Sequence, residues 1–178
     1  HCVDDPDRFG PDSVVYLPEA LLVIENGRVR ECGSVHSIEI PESANVVDLT
    51  GKLIVPGFVD THVHYPQVDV IAAYGSQLLE WLERYTFPAE QLFEDEEHAS
   101  ETARFFLDEM LKNGTTTALV FGTVHAGSVN AFFTEAQARN LRMICGKVMM
   151  DRHAPESLLD TAQSSYVESQ QLIEKWHG

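Results

Sequence analysis

The sequence predicts an α/β fold with a parallel sheet, on three observations. From residue 51 onward, short apolar, β-branched runs alternate with stretches of helical periodicity. TTTALVFG at 115–122 is β-branched and largely apolar, as a strand buried on both faces would be. Asn113-Gly114 stands just before it, where a helix stop is expected. Strands alternating with helices imply parallel pairing through right-handed crossovers.

Residues 1–50 read differently. The first 13, with Pro6, Gly10 and Pro11, lack periodicity and are expected to be loop. VVYL at 14–17, ALLVIE at 20–25 and RVREC at 28–32 read as strands, the last two joined by Asn26-Gly27, the pair that suits a type I′ hairpin turn. VVDL at 46–49 reads as a further strand. These residues predict a small antiparallel β-domain, too slight to be stable alone. The expected division is 1–50 for this part and 51–178 for the βα units.

After Gln67, Leu78, Leu79, Leu82 and Tyr85 mark a short packed helix that should end before Pro88. Ala99, Ala103, Phe106, Leu107 and Met110 mark a longer one, which Asn113-Gly114 closes. Val129, Phe132, Phe133 and Ala136 line a third, with Ser128 as its expected N-cap. RMICGKVMMD at 142–151 reads as the next strand. A last helix, over 160–176, would bury Ala162, Tyr166, Ser169, Leu172, Ile173 and Trp176.

The first βα strand lies in VPGFVDTHVHYPQ, Val55 to Gln67. Histidines at i and i+2 point the same way only in a strand, so His62 and His64 would leave its end side by side. Two imidazoles on one rigid strand suit a metal ion such as zinc, which accepts neutral nitrogen donors. The alternative is two ordinary polar positions on a strand. Asp60 shares the alternation, as an acceptor orienting a ligand or as a strand end.

Twelve basic and 28 acidic residues give a formal charge of −16, which opposes nucleic acid and anionic membranes as partners. No run approaches the ~20 apolar residues of a membrane span, so a soluble chain is expected. Cys2, Cys32 and Cys145 are odd in number and far apart, which fits ordinary thiols in a reducing cytoplasm.

Three βα units are too few to close an eight-stranded barrel. The chain is therefore an open sheet or the N-terminal part of a (β/α)8 TIM-like barrel, and the absence of an initiator methionine at His1 and the stop at Gly178 favour the second. Chemistry in such barrels sits at the C-terminal strand ends, where His62, His64, His125 and Asp151 are expected. His125 could equally be an exposed loop residue. Lys147 shares a strand face with Asp151 and is expected to be structural. Trp81 and Phe87 could line a pocket mouth, although aromatic residues at helical positions are more often core.

GKLIVPGFVDTHVHYPQ resembles the first barrel strand of the amidohydrolase superfamily. Within it LLEWLERYTFPAE at 78–90, NGTTTALVFGTVH at 113–125 and GKVMMDR at 146–152 are similar to the guanine deaminase family. The resemblance covers most of residues 51–178 and implies a β-domain assembled from both chain ends. It implies a cytoplasmic, homodimeric hydrolase, with one Zn²⁺ per site, that converts guanine to xanthine and ammonia. His62 and His64 match two zinc ligands, and His64 and Gln67 match substrate contacts. Asp60, His125 and Asp151 are outer candidates.

The implied chemistry is metal-assisted attack of water on the carbon bearing the 2-amino group, with a glutamate carrying the proton to ammonia. In the family that glutamate follows a third zinc histidine in HxxE, and a fourth histidine and an aspartate come later. Downstream of the second βα strand only His153-Ala-Pro-Glu156 fits HxxE by letter, in a proline-containing loop, and it is expected to be coincidental. No catalytic shuttle is therefore expected in this chain. Two further readings stand beside this one: an amidohydrolase acting on another amino- or halo-substituted heterocycle, and a catalytically silent half-barrel completed by a partner chain.

Overall fold

The computed structural model describes residues 5–75 and 77–177, so Cys2 lies outside the described residues. They form two compact units, His1–Pro56 and Gly57–Gly178.

The first unit is simpler than its sequence suggests. Residues expected to be loop form a helical turn, α1 (Pro6–Phe9), and a 3₁₀ turn (Gly10–Ser13). The Asp5 carbonyl accepts Arg8 and Phe9 N–H, which starts that turn locally. β1 (Ala20–Glu25) and β2 (Arg28–Ser34) pair antiparallel, with a bulge between Val23 and Ile24. Asn26 and Gly27 take φ of 51° and 73° at the turn, as a type I′ hairpin requires. VVYL and VVDL are not strands: Val14 makes only an isolated bridge, and Val46 and Val47 are exposed. Strand propensity is realised only within a ladder, and neither run is a strand of the two sheets among the described residues.

The second unit is a three-stranded parallel sheet in the order β3 (Phe58–His64), β4 (Thr115–Phe121), β5 (Arg142–Gly146). Its register sets His64 beside Phe121 and Phe121 beside Gly146, so the three strands end in one row. β5 stops well before Asp151. Beyond Gly146 the chain is held instead by Val148 N–H on the Thr123 carbonyl and by Asp160 N–H on the Met150 carbonyl.

Helices α4 (Glu96–Lys112) and α5 (Ala126–Ala138) complete the core with the sheet. Asp95 caps α4 by accepting Glu97 and His98 N–H, and Gly114, at φ 82°, supplies the left-handed stop. The N-cap of α5 is His125 rather than Ser128. Ser128 is buried one turn inside, where its hydroxyl donates to the His125 carbonyl and accepts Thr123 N–H and the Thr123 hydroxyl. α6 (Ala162–Trp176) starts at a Thr161/Ser164 capping box. It buries Ser165 and Leu172, while Tyr166 and Ile173 stay exposed, so its inward face is turned from the expected one.

The segment after Gln77 also departs from expectation. α2 (Leu78–Trp81) runs through a π-helical turn at Leu82–Thr86 into α3 (Phe87–Gln91) without stopping at Pro88. Phe87 N–H reaches back five residues to the Leu82 carbonyl, and the widened turn accommodates a residue that lacks a donor and crowds the preceding turn. Leu78 and Leu79 are 70% and 72% exposed, not packed. Leu82 is half-buried. No helix among the described residues is long and apolar enough to cross a membrane.

Candidate metal and ligand site

His62 and His64 leave the end of β3 together. Their Nε2 atoms lie 3.3 Å apart. Two nitrogens each about 2.05 Å from a tetrahedrally coordinated ion would lie about 3.3 Å apart, so the pair fits two corners of a zinc-like site. Phe121, next to His64 in the sheet, stacks on its ring with centroids 4.6 Å apart and planes 12° apart, and contacts His62 at 4.8 Å. Burial, and then the neighbouring His62, hold the His64 pKa below its usual value, which favours the neutral imidazole that a metal requires. Asp60 does not touch either ring through a hydrogen bond: its Oδ1 accepts His62 backbone N–H at 3.0 Å. It fixes the strand rather than the ligand.

The next residue anchors the site to the core. Tyr65 is fully buried, donates its hydroxyl to the Ser128 carbonyl at 2.7 Å, and packs among Phe93, Phe106 and Phe132. It opens the 3₁₀ segment Tyr65–Val70, so Gln67 sits two residues beyond a rigid point. Gln67 joins His62 and His64 in one cavity of about 370 Å³, walled by Val68, Ile71 and Trp81. Small-molecule sites start near that size. The Trp81 indole donates to the Ala73 carbonyl at 3.0 Å, which holds the wall in place. Phe87, on α3, is half-buried and does not line it.

The remaining candidates lie elsewhere. His125, at the head of α5, is half-buried with Nε2 buried and unpaired among the described residues, and does not line the cavity. Burial lowers its pKa; Glu94 opposes the shift and Lys147 adds to it. Asp151 is exposed, pairs with Arg152 at 3.0 Å, and borders a separate groove with Met149 and Tyr166. Lys147 turns into the protein, where it meets Asp160 and Glu168. His153 and Glu156 are exposed. Cys145 is partly buried, and burial pushes its thiol up to about 12, leaving it inert.

Two site residues escaped the sequence reading. Phe121 looked like core in a buried strand, and only the register places it on the histidines. Glu90, on α3, is 5% exposed and receives the Gln67 side-chain amide at 3.4 Å. Among the described residues no group of three or more His, Cys, Asp or Glu side chains could hold a metal, and His62 and His64 stand as a pair.

Residues 53–177 match the amidohydrolase family profile. The chain belongs to the amidohydrolase family. It is 53% identical over 177 residues to guanine deaminase of Escherichia coli (strain K12), an alignment covering 98% of this chain and 40% of that protein. A solved E. coli guanine deaminase superposes with a TM-score of 0.82 at 57% identity, covering 89% of this chain and 37% of the other. A guanine deaminase from C. acetobutylicum with bound guanine in the active site superposes at 0.75 with 28% identity, covering 88% and 37%. These neighbours have the TIM-barrel fold, and this amidohydrolase chain carries its opening strands. It spans 40% of the length of the E. coli relative.

Proposed function

We propose that this amidohydrolase chain forms the N-terminal part of a zinc-dependent guanine deaminase, releasing xanthine and ammonia. The observation that carries the reading is the 3.3 Å Nε2 pair of His62 and His64 sharing a cavity with Gln67. The relatives named guanine deaminase supply the substrate class. Residues 1–50 serve as part of a β-domain and residues 51–178 as the first barrel units. The enzyme is cytoplasmic and homodimeric.

His62 and His64 would hold the zinc ion, which supplies Lewis acidity that brings ionisation of water within reach of neutral pH. Their role is to present neutral lone pairs from one strand, at little entropic cost because Phe121 and the sheet fix both rings. Gln67, with His64, meets the purine: a planar amide reads a planar heterocycle edge. Trp81 and Ile71 line the cavity beside that contact. The other ligands and the proton shuttle come from sequence outside these residues.

The test uses the full-length protein. Guanine should be converted to xanthine, with about one zinc ion bound per chain. His62→Ala and His64→Ala should each empty the metal site by elemental analysis and cut turnover more than about 100-fold, beyond a typical outer-shell change. Guanine left unconsumed, or full zinc content in both variants, would overturn the reading.

A further inference from the structure

We propose that Glu90 is a positioning residue that fixes the Gln67 amide with its carbonyl oxygen toward the histidine cavity, so that the site selects a ligand carrying an N–H at that point. The inference rests on the guanine deaminase reading and adds to it a residue with no contact to the metal.

Burying a carboxyl without a cation is costly, and a fold keeps such a group only where something depends on it. Glu90 is such a group. Among the described residues its carboxyl receives one hydrogen bond, from Gln67 Nε2, and no lysine, arginine or histidine pairs with it. Thr86, one turn earlier on the same helix, is also buried with its hydroxyl unpaired among the described residues. The interior here is therefore polar on one side, next to the cavity, rather than sealed with apolar side chains.

The orientation follows from donor chemistry. An ionised carboxylate has lone pairs only, and a protonated one still keeps a carbonyl acceptor. In the structure Gln67 turns its NH₂ toward Glu90 Oε1, the only end of the amide that an ionised carboxylate can accept, and the geometry of a planar amide sends Oε1 of Gln67 the other way. Gln67 lines the cavity with His62 and His64, so what it offers a ligand there is an acceptor. An exposed glutamine would flip freely and offer either end. At 3.4 Å the contact is long, as hydrogen bonds of unliganded sites often are.

The experiment uses the full-length zinc enzyme and has two readouts. In steady state, Glu90→Met, a replacement of similar size without an acceptor, should raise KM for guanine about tenfold while kcat changes less than about threefold, as for one lost binding hydrogen bond. In a Gln67→Ala background the same change should move KM less than about twofold, because Glu90 then has nothing to orient. A Glu90→Met effect that persists in that background overturns the proposal. The second readout needs no substrate. With ¹⁵N-labelled glutamine, the Gln67 side-chain protons should exchange at least about tenfold more slowly than those of exposed glutamines, and Glu90→Met should abolish the difference. A freely exchanging Gln67 amide in the unmodified protein overturns the proposal whether or not the variant folds. If guanine proves not to be the substrate, that reading falls and the spectrum alone decides the role of Glu90.

Discussion

Asp160, just before α6, receives Lys147 Nζ at 2.6 Å, the Ser165 hydroxyl at 2.6 Å, Thr161 N–H at 2.7 Å and the Ser164 hydroxyl. Glu90, on α3, receives a single amide at 3.4 Å. Burial disfavours the charge at both. At Asp160 the lysine and three neighbouring donors outweigh it and hold the carboxyl well below the usual range. At Glu90 burial prevails over the Gln67 contact and the pKa is raised. Lys147 also meets Glu168, so the first region is a closed ionic network behind β5. The comparison separates a buried acid that holds the fold from one retained beside a ligand cavity: the first is saturated with partners, the second is left with one.

Putting the same residue at the key position of each region should separate them most sharply. Lys147→Met strands two carboxylates and is expected to lose on the order of 3 to 5 kcal/mol in denaturant unfolding. A loss under about 1 kcal/mol would break the comparison. Next in size is Asp160→Asn, expected to cost about 1 to 3 kcal/mol at pH 7. The folded pKa of Asp160 is depressed, so its stabilisation is present above the unfolded value of about 3.9 and is lost as pH falls through the folded one. The gap between variant and parent should therefore close in acid, and a gap unchanged between pH 7 and pH 3 would contradict the network.

Smallest is Glu90→Met. Here the folded pKa is raised, so the favourable contribution of Glu90 is present below the unfolded value of about 4.3 and disappears as pH rises through the folded one. The variant should equal the parent near pH 4 and exceed it by about 1 kcal/mol or less at pH 8, in paired urea melts. A substitution that weakens substrate binding while leaving stability intact or improved would mark Glu90 as kept for the site. Clear destabilisation at pH 8 would place it with Asp160.

Local signals carried the parts of the molecule that depend on local physics. The type I′ turn at Asn26-Gly27, the stop at Gly114 and the inward face of α4 follow from backbone preference and spacing, and all three stand in the structure. His62 and His64 were legible because two-residue alternation leaves them little freedom. VVYL and VVDL misled because a run becomes a strand only by joining a sheet, and no periodicity shows whether it does. Ser128 looked like a cap and is instead a buried junction, since Thr123 lies within its reach only after the chain turns at Gly122. Glu90 was hidden for a similar reason: a glutamate after proline on a short helix reads as surface. Only the folded path of Tyr65–Val70 brings Gln67 to it.

That path meets α3 through the π turn at Leu82–Thr86. Such a turn holds one residue more than an α-helical turn, and each residue is worth about 100° of rotation around a helix axis. The segment therefore works as a spacer whose length matters more than its letters. Glu83 and Arg84 are exposed there, Arg84 lying over the Tyr85 ring, and the length of the turn sets the rotation at which Glu90 meets Gln67. Insertions and deletions, rather than substitutions, are what this stretch of the chain is least able to absorb.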